Sequence, residues 1–253
     1  MSLVNNIPFS PEDYAAAAVL ADEVADEMLM RLEWMTIKPR IVVDLGCGIG
    51  KHTTELRKRY ADAMVFALDT SMTMLEVAQQ QKLSCVCADV MRLPFASQSV
   101  DLLFANLVFP WQADITAMLR ECHRVLHPEG LLIFSALGLD TLRELQEIAK
   151  PSLMDMHDVG DLLLQQFADP VLDVNYYTLN YADQSKMFRE LQLMGMIGNI
   201  PQNISLTADD DGKWPVTFEV IIAHAFAPEM KRAEDGVVRI PVSQLREQLR
   251  RMK

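Results

Sequence analysis

The chain has 253 residues, half of them apolar and 23% charged, a globular mix that excludes a disordered or low-complexity protein. Its 23 Lys and Arg against 35 Asp and Glu give a formal net charge of −12, which argues against nucleic acid as a main partner because phosphate binding needs a basic surface. No apolar run approaches the ~18 residues of a membrane span, no basic-then-apolar leader opens the chain, and the four cysteines form no C-x-x-C pair, so a reduced cytoplasmic protein with no membrane partner is expected.

In chain order, Pro11 opens a helix whose apolar residues recur at a spacing near 3.6 as far as Leu32. The period then changes. Ile41-Val42-Val43 is a continuous β-branched run, the mark of a buried strand, and it leads into Asp44 and a glycine cluster. A helix follows over residues 51–60, then a strand over 64–68 ending at Asp69, a helix over 71–81 and a strand over 83–87 ending near Asp89. A strand over 100–105, a helix over 115–126 and a strand over 131–136 continue the alternation, with His127-Pro128-Glu129-Gly130 as a turn between the last two. Short apolar strands alternating with helices imply βαβ units and a parallel sheet.

Beyond Ala136, helices are expected over 140–149 and 155–167, with Asp140 and Asp155 as N-caps. Residues 171–179 and 215–226 read as the last two strands, separated by a short helix over 183–194 and a Gly/Asn/Asp-rich loop to Gly212. Residues 1–230 are read as one domain with a small helical lid at about 180–212, and residues 231–253 as a charged tail or helix.

The sharpest chemical signal is Val43-Asp44-Leu45-Gly46-Cys47-Gly48-Ile49-Gly50. A glycine-rich turn between a strand and a helix lets backbone N–H groups approach a ligand closely. A dinucleotide fingerprint needs its third glycine at position 51, which is Lys51, and the Asp44 carboxylate suits a cationic ligand better than a pyrophosphate. Two further acids end the next two strands. Asp69 can accept hydrogen bonds from both hydroxyls of a ribose, and Asp89 can accept from an adenine amino group. His123 and His127 lie four apart with no third ligand nearby, so no metal site is expected.

Over residues 40–136 these segments resemble the class I S-adenosylmethionine-dependent methyltransferases. The resemblance implies a doubly wound, seven-stranded, mostly parallel α/β sheet of Rossmann-like type, with an N-terminal helix and S-adenosyl-L-methionine as cofactor. It implies that the loop carrying Asp44, Gly46, Cys47, Gly48 and Gly50 meets the methionine moiety. Asp69 would hold the ribose and Asp89 with Val90 the adenine, with Thr70, Met74, Asn106 and Leu107 as further cofactor contacts.

A narrower resemblance rests on Phe104-Ala105-Asn106-Leu107-Val108-Phe109-Pro110-Trp111, on Arg124-Val125-Leu126-His127-Pro128-Glu129-Gly130, and on the run from Phe134 through Arg143 to Leu145. Asp155-Met156-His157-Asp158-Val159-Gly160-Asp161 and Asp211-Gly212-Lys213-Trp214-Pro215-Val216-Thr217-Phe218-Glu219-Val220 belong to it as well. These segments are similar to the biotin-synthesis malonyl-acyl-carrier-protein O-methyltransferases (BioC type). The implied reaction is methylation of the free carboxylate of a malonyl group on acyl carrier protein, which disguises it as a fatty-acid primer. Many of the same segments occur in a sister branch of respiratory complex I assembly factors that act as protein-arginine hydroxylases. That activity, or non-catalytic S-adenosylmethionine binding, is the alternative. The stretch between Gly195 and Asp211 is shorter than in the family and lacks its basic, glycine-containing loop.

A carboxylate acceptor is already ionised at neutral pH and needs no general base, but it needs a cation to hold it, preferably a bidentate Arg. Arg143 is the candidate, with Arg92 and Arg189 behind it, while Tyr14 and Trp111 are candidates to wall the methyl-transfer channel. Acyl carrier proteins are acidic, so a chain of net charge −12 must gather basic residues at its mouth to meet one. Two clusters are available: Lys51, Arg57, Lys58 and Arg59, and Arg120, Arg124 and His127.

Overall fold

In the computed structural model, which describes residues 10–112, 114–145, 148, 151–198, 206 and 208–229, the strand–helix alternation builds one seven-stranded sheet. The first half runs α1 (Pro11–Ala17), α2 (Val19–Glu33), β1 (Ile41–Leu45), α3 (Lys51–Arg59), β2 (Met64–Asp69), α4 (Met72–Gln80), β3 (Ser84–Cys87) and β4 (Val100–Ala105). A 3-10 turn (Phe109–Trp111) leads into α5 (Ile115–Val125), β5 (Leu126–Leu137), α6 (Met156–Leu164), β6 (Ala168–Tyr181), α7 (Gln184–Leu193) and β7 (Trp214–Phe226). The strand order is β3-β2-β1-β4-β5-β7-β6. Strands β1 to β5 pair in parallel, and β7 runs antiparallel between β5 and β6. This is the doubly wound class expected from the alternation.

Apolar runs without alternation mark strands covered on both faces, and β1 shows why. Val42 faces one layer, where it packs with Leu20, Val24, Met28 and Leu32 of α2 and Leu56 of α3. Its neighbour Val43 points to the opposite layer, with Met118, Leu119 and Val125 of α5 and Leu163 of α6. Each such buried side chain contributes roughly 1.5–3 kcal/mol relative to exposure. Helix starts are set by side-chain caps: Ser71 accepts from the Met74 N–H, Asp155 from His157, and Asp183 from Ser185 and Lys186. No helix among the described residues is long and apolar enough to cross a membrane.

Three expectations are corrected. The single helix from Pro11 to Leu32 is two, broken at Ala18, whose N–H turns back to the Ala15 carbonyl. The break lets α1 leave the line of α2 and pack on α4 and α7, while α2 lies on β5. The turn read at residues 127–130 is taken up into β5 as an irregularity: Val100 pairs with Leu126 but Leu102 with Leu131. Its last two residues bond to the chain after β7, through Glu129 N–H to Ala227 O and Ala227 N–H to Gly130 O.

Among the described residues of the helix expected over 140–149 no α-helix forms; residues 139–144 are turns. Bonds to β7 win over local propensity here. The Leu142 N–H donates to Thr217 O, Thr141 Oγ1 donates to Glu219 O, and the Glu144 carboxylate accepts from the Thr217 N–H and hydroxyl. Leu142 adopts a φ of +55°, which no α-helix contains. Asp140 therefore caps nothing; its N–H donates to Glu219 Oε2 and its carboxylate accepts from the Tyr176 hydroxyl. Residues 199–205 and 207 of the expected lid, and the expected tail at 231–253, lie outside the described residues.

Candidate active site

The strand order reverses between β1 and β4, and open α/β sheets place ligands outside the carboxyl ends of strands at such a point. A cavity of about 750 Å³ opens there. That lies within the ~300–1,000 Å³ of sites for small molecules and cofactors. Its floor is the ends of β1 to β4. Its walls come from α1 and α2 on one side, and from Trp111, Gln112 and the segment Met194, Gly195, Met196 after α7 on the other.

The glycine loop follows β1. Gly46, Gly48 and Gly50 have φ of +67°, +54° and +83°, the left-handed region that side chains disfavour. A Cβ on Gly46 would overlap Val108, so the loop can lie against the segment after β4 only with glycine there. A Cβ on Gly48 would meet only the Tyr14 ring, at 3.8 Å, so Gly48 faces the cavity beneath that ring. Gly50 differs from the expectation. It does not line the cavity, and a Cβ on it would run into Leu83 and Ala78, so its role is packing under the loop.

Asp44, only 3% exposed, accepts from the Thr53 hydroxyl, and burial pushes its carboxyl up to about 7. Asp69 accepts the Gly48 N–H on one oxygen at 2.9 Å and the Ser71 N–H on the other at 2.8 Å. Burial raises its pKa too, opposed by those backbone donors. Each oxygen keeps a lone pair for a ligand hydroxyl. Asp89 is exposed at the cavity edge, with one oxygen on the Met91 N–H, beside the buried Val90.

Asn106 and Leu107 are held by a buried network at the end of β4. The Leu107 N–H donates to Ser135 Oγ at 2.7 Å, that hydroxyl donates to Asn106 Oδ1 at 2.9 Å, and Asn106 Nδ2 donates to Ala21 O at 2.7 Å. Leu107 sits at a φ of +52°, a strained backbone that persists only where its surroundings fix it. Tyr14 of α1 covers the glycine loop. Burial and the charges of Asp69 and Asp22 push its hydroxyl up to about 12, so it stays protonated and keeps its proton available for a ligand acceptor.

The cavity thus gathers Tyr14, Asp44, Gly46, Cys47, Gly48, Asp69, Thr70, Met74, Asp89, Val90, Asn106 and Leu107. Arg143 is not among its lining residues. The turns that replace the expected helix leave its guanidinium half-exposed and 3.5 Å from Glu144. Arg189 pairs with Asp13 at 3.1 Å, joining α7 to α1. Of the basic clusters, Arg57, Lys58 and Arg59 form the last turn of α3, at the end of the sheet away from the cavity, and only Lys51 lines it. Arg124 is bound to Glu121 and to the carbonyls of Leu93 and Phe95. Sequence reasoning missed Asp22, His52, Gln112, Met194 and Met196 as lining residues. For His52 a signal existed, since it opens the helix directly after the glycine loop.

A methyltransferase domain model matches residues 43–134, the segment that supplies the cavity floor. Malonyl-acyl-carrier-protein O-methyltransferase from Gallionella capsiferriformans is 38% identical, over 92% of this chain and 92% of that protein. Malonyl-acyl-carrier-protein O-methyltransferase 1 of Coxiella burnetii is 35% identical, over 92% and 90%. The chain belongs to the malonyl-acyl-carrier-protein O-methyltransferase family. It is an S-adenosylmethionine-dependent methyltransferase. The fold agrees with the solved N-methyltransferase NodS of Bradyrhizobium japonicum in complex with S-adenosylhomocysteine, at a TM-score of 0.53, 16% identity, and coverage of 82% of this chain and 87% of that one.

The residues of this methyltransferase fit the cofactor. The Gly48 position leaves open space beneath the Tyr14 ring that a side chain would fill, and the carboxylate-rich floor favours a ligand of net positive charge.

Proposed function

We propose that this methyltransferase esterifies the free carboxylate of a malonyl group carried on acyl carrier protein, the step that lets biotin (pimeloyl) synthesis borrow fatty-acid elongation. The observation that carries the reading is the likeness, over nine-tenths of the chain, to relatives named for that reaction. Chemistry supports it. Among the lining residues none is both a base and placed against a nucleophile, and a carboxylate acceptor needs no base because it is already ionised.

When bound, S-adenosylmethionine supplies an electrophilic methyl group on a sulfonium. The residues of the chain position and exclude water. In this reading Asp69 holds the ribose hydroxyls, Asp89 and Val90 the adenine, and the loop from Gly46 to Gly48 the methionine moiety. Asn106 and Leu107 shape the floor beside the reacting centre. Tyr14 donates a hydrogen bond toward the acceptor, and Trp111 with Met194 and Met196 walls the channel. Arg143 is not among the lining residues, and the described lining sets no guanidinium against the acceptor carboxylate, so in this reading the Tyr14 hydroxyl is its donor.

Methyl transfer from labelled cofactor to malonyl-carrier protein and to acetyl-carrier protein tests this. Label should enter only the malonyl form, because the acetyl form lacks the free carboxylate. Equal labelling of both, or none of either, overturns the reading.

A further inference from the structure

Four carboxylates line the cavity, Asp22 on the α2 wall and Asp44, Asp69 and Asp89 on the floor. Among the described lining residues, the only ammonium or guanidinium is that of Lys51. Lys51 is the first residue of α3, and its Nζ lies 2.6 Å from Asp22 Oδ2, on α2. His52, next along α3, reaches within 3.3 Å of Asp22 Oδ1, but its Nε2 has no hydrogen-bond partner among the described residues. Burial lowers its pKa, so the ring is neutral and Lys51 supplies the positive charge of the group.

We propose that the Asp22–Lys51 pair reads the α-amino-acid end of the cofactor, Lys51 taking the carboxylate and Asp22 the ammonium. Position supports this. From Asp89 after β3, through Asp69 after β2, to the glycine loop after β1, the strand ends match adenine, ribose and methionine in turn. The pair stands immediately beyond that loop, where the methionine chain must end. Charge supports it as well. A zwitterion meets both signs of the pair, whereas a lone acceptor carboxylate would be repelled by Asp22 as much as it is drawn by Lys51. His52, with its unpaired nitrogen, backs the pair with one further neutral hydrogen-bonding group. The consequence is a cofactor specificity: ligands lacking the amino-acid group forgo these contacts.

The test is calorimetric titration of the full chain, unmodified and as Lys51→Met and Asp22→Asn, with S-adenosylhomocysteine and with 5′-methylthioadenosine, which lacks the amino-acid group. The Lys51 side chain is 53% exposed, so screening limits the effect, and the substitution leaves the core untouched. Each variant should weaken S-adenosylhomocysteine about 10-fold and change 5′-methylthioadenosine by less than about twofold. Retained binding of the smaller ligand shows that the variant is folded. Equal weakening of both ligands overturns the proposal, as does unchanged S-adenosylhomocysteine affinity with a raised KM for the acceptor alone. The inference rests on the cofactor and not on the acceptor. If the unmodified protein failed to methylate malonyl-carrier protein while these binding differences held, only the acceptor assignment would fall.

Discussion

Replacing Ser135 by Ala probes the network that fixes the end of β4. The side chain is fully buried and joins three elements: its oxygen accepts the Leu107 N–H and its proton goes to Asn106 Oδ1, which in turn ties Ala21 of α2. Alanine leaves the Leu107 N–H without a partner in a buried place, at about 1–3 kcal/mol, and removes a second hydrogen bond worth about 0.5–1.5 kcal/mol. The sum is a loss of about 1.5–4.5 kcal/mol, or roughly 3–18 °C in Tm for a chain of this size. The Leu107 N–H bond helps hold its φ of +52°, so the cavity floor should loosen too and kcat/KM should fall. Urea unfolding followed by circular dichroism and by tryptophan fluorescence gives the stability, with coincident transitions as the check on two-state behaviour. Ser99→Ala, which removes an exposed bond to the Ala96 carbonyl, is the control and should stay within about 0.5 kcal/mol. A Ser135→Ala protein as stable as that control would refute the reasoning.

Asp69→Ala should weaken S-adenosylhomocysteine about 10- to 100-fold in titration, because two ribose hydroxyls lose their acceptor; an unchanged affinity would remove Asp69 from the site. Asp44, with a carboxyl at about 7, must give up its proton to favour a cationic ligand. S-adenosylmethionine affinity should therefore fall as pH drops from about 8 to about 6, by up to about 10-fold per pH unit below the pKa, and Asp44→Asn should flatten that profile. Calorimetry in buffers of different ionisation heat would count the proton released, and a count of zero at about pH 6 would contradict the assignment. Arg143→Ala should leave cofactor affinity and kcat/KM within about twofold, since its half-exposed guanidinium pairs with Glu144 outside the cavity.

Most of the sheet was readable because its evidence is local. A strand buried on both faces is an unbroken apolar run, and Ile41-Val42-Val43 is that run whatever lies far away. The glycine loop and the acids after β1, β2 and β3 were readable for the same reason: each sits at the end of a recognisable strand. The turns after β5 were not. Their path is decided by Thr141, Leu142 and Glu144 bonding to Thr217 and Glu219 of β7, partners that no short window of sequence contains. The misplacement of Arg143 follows directly from that missed path. Gly50 was recognised as a glycine, but its reason is contact with Leu83 and Ala78 beneath the loop and not the ligand above it. The Asp22–Lys51 pair joins α2 to α3, and only the folded chain brings them together.

The most direct test of the central claim is intact-protein mass spectrometry of malonyl-carrier protein incubated with this chain and S-adenosylmethionine. The account predicts a carrier protein heavier by one methylene, the added mass leaving with the acyl group when hydroxylamine cleaves the thioester, with one S-adenosylhomocysteine formed for each ester. A carrier protein of unchanged mass, or S-adenosylhomocysteine formed without any methyl ester, would contradict it.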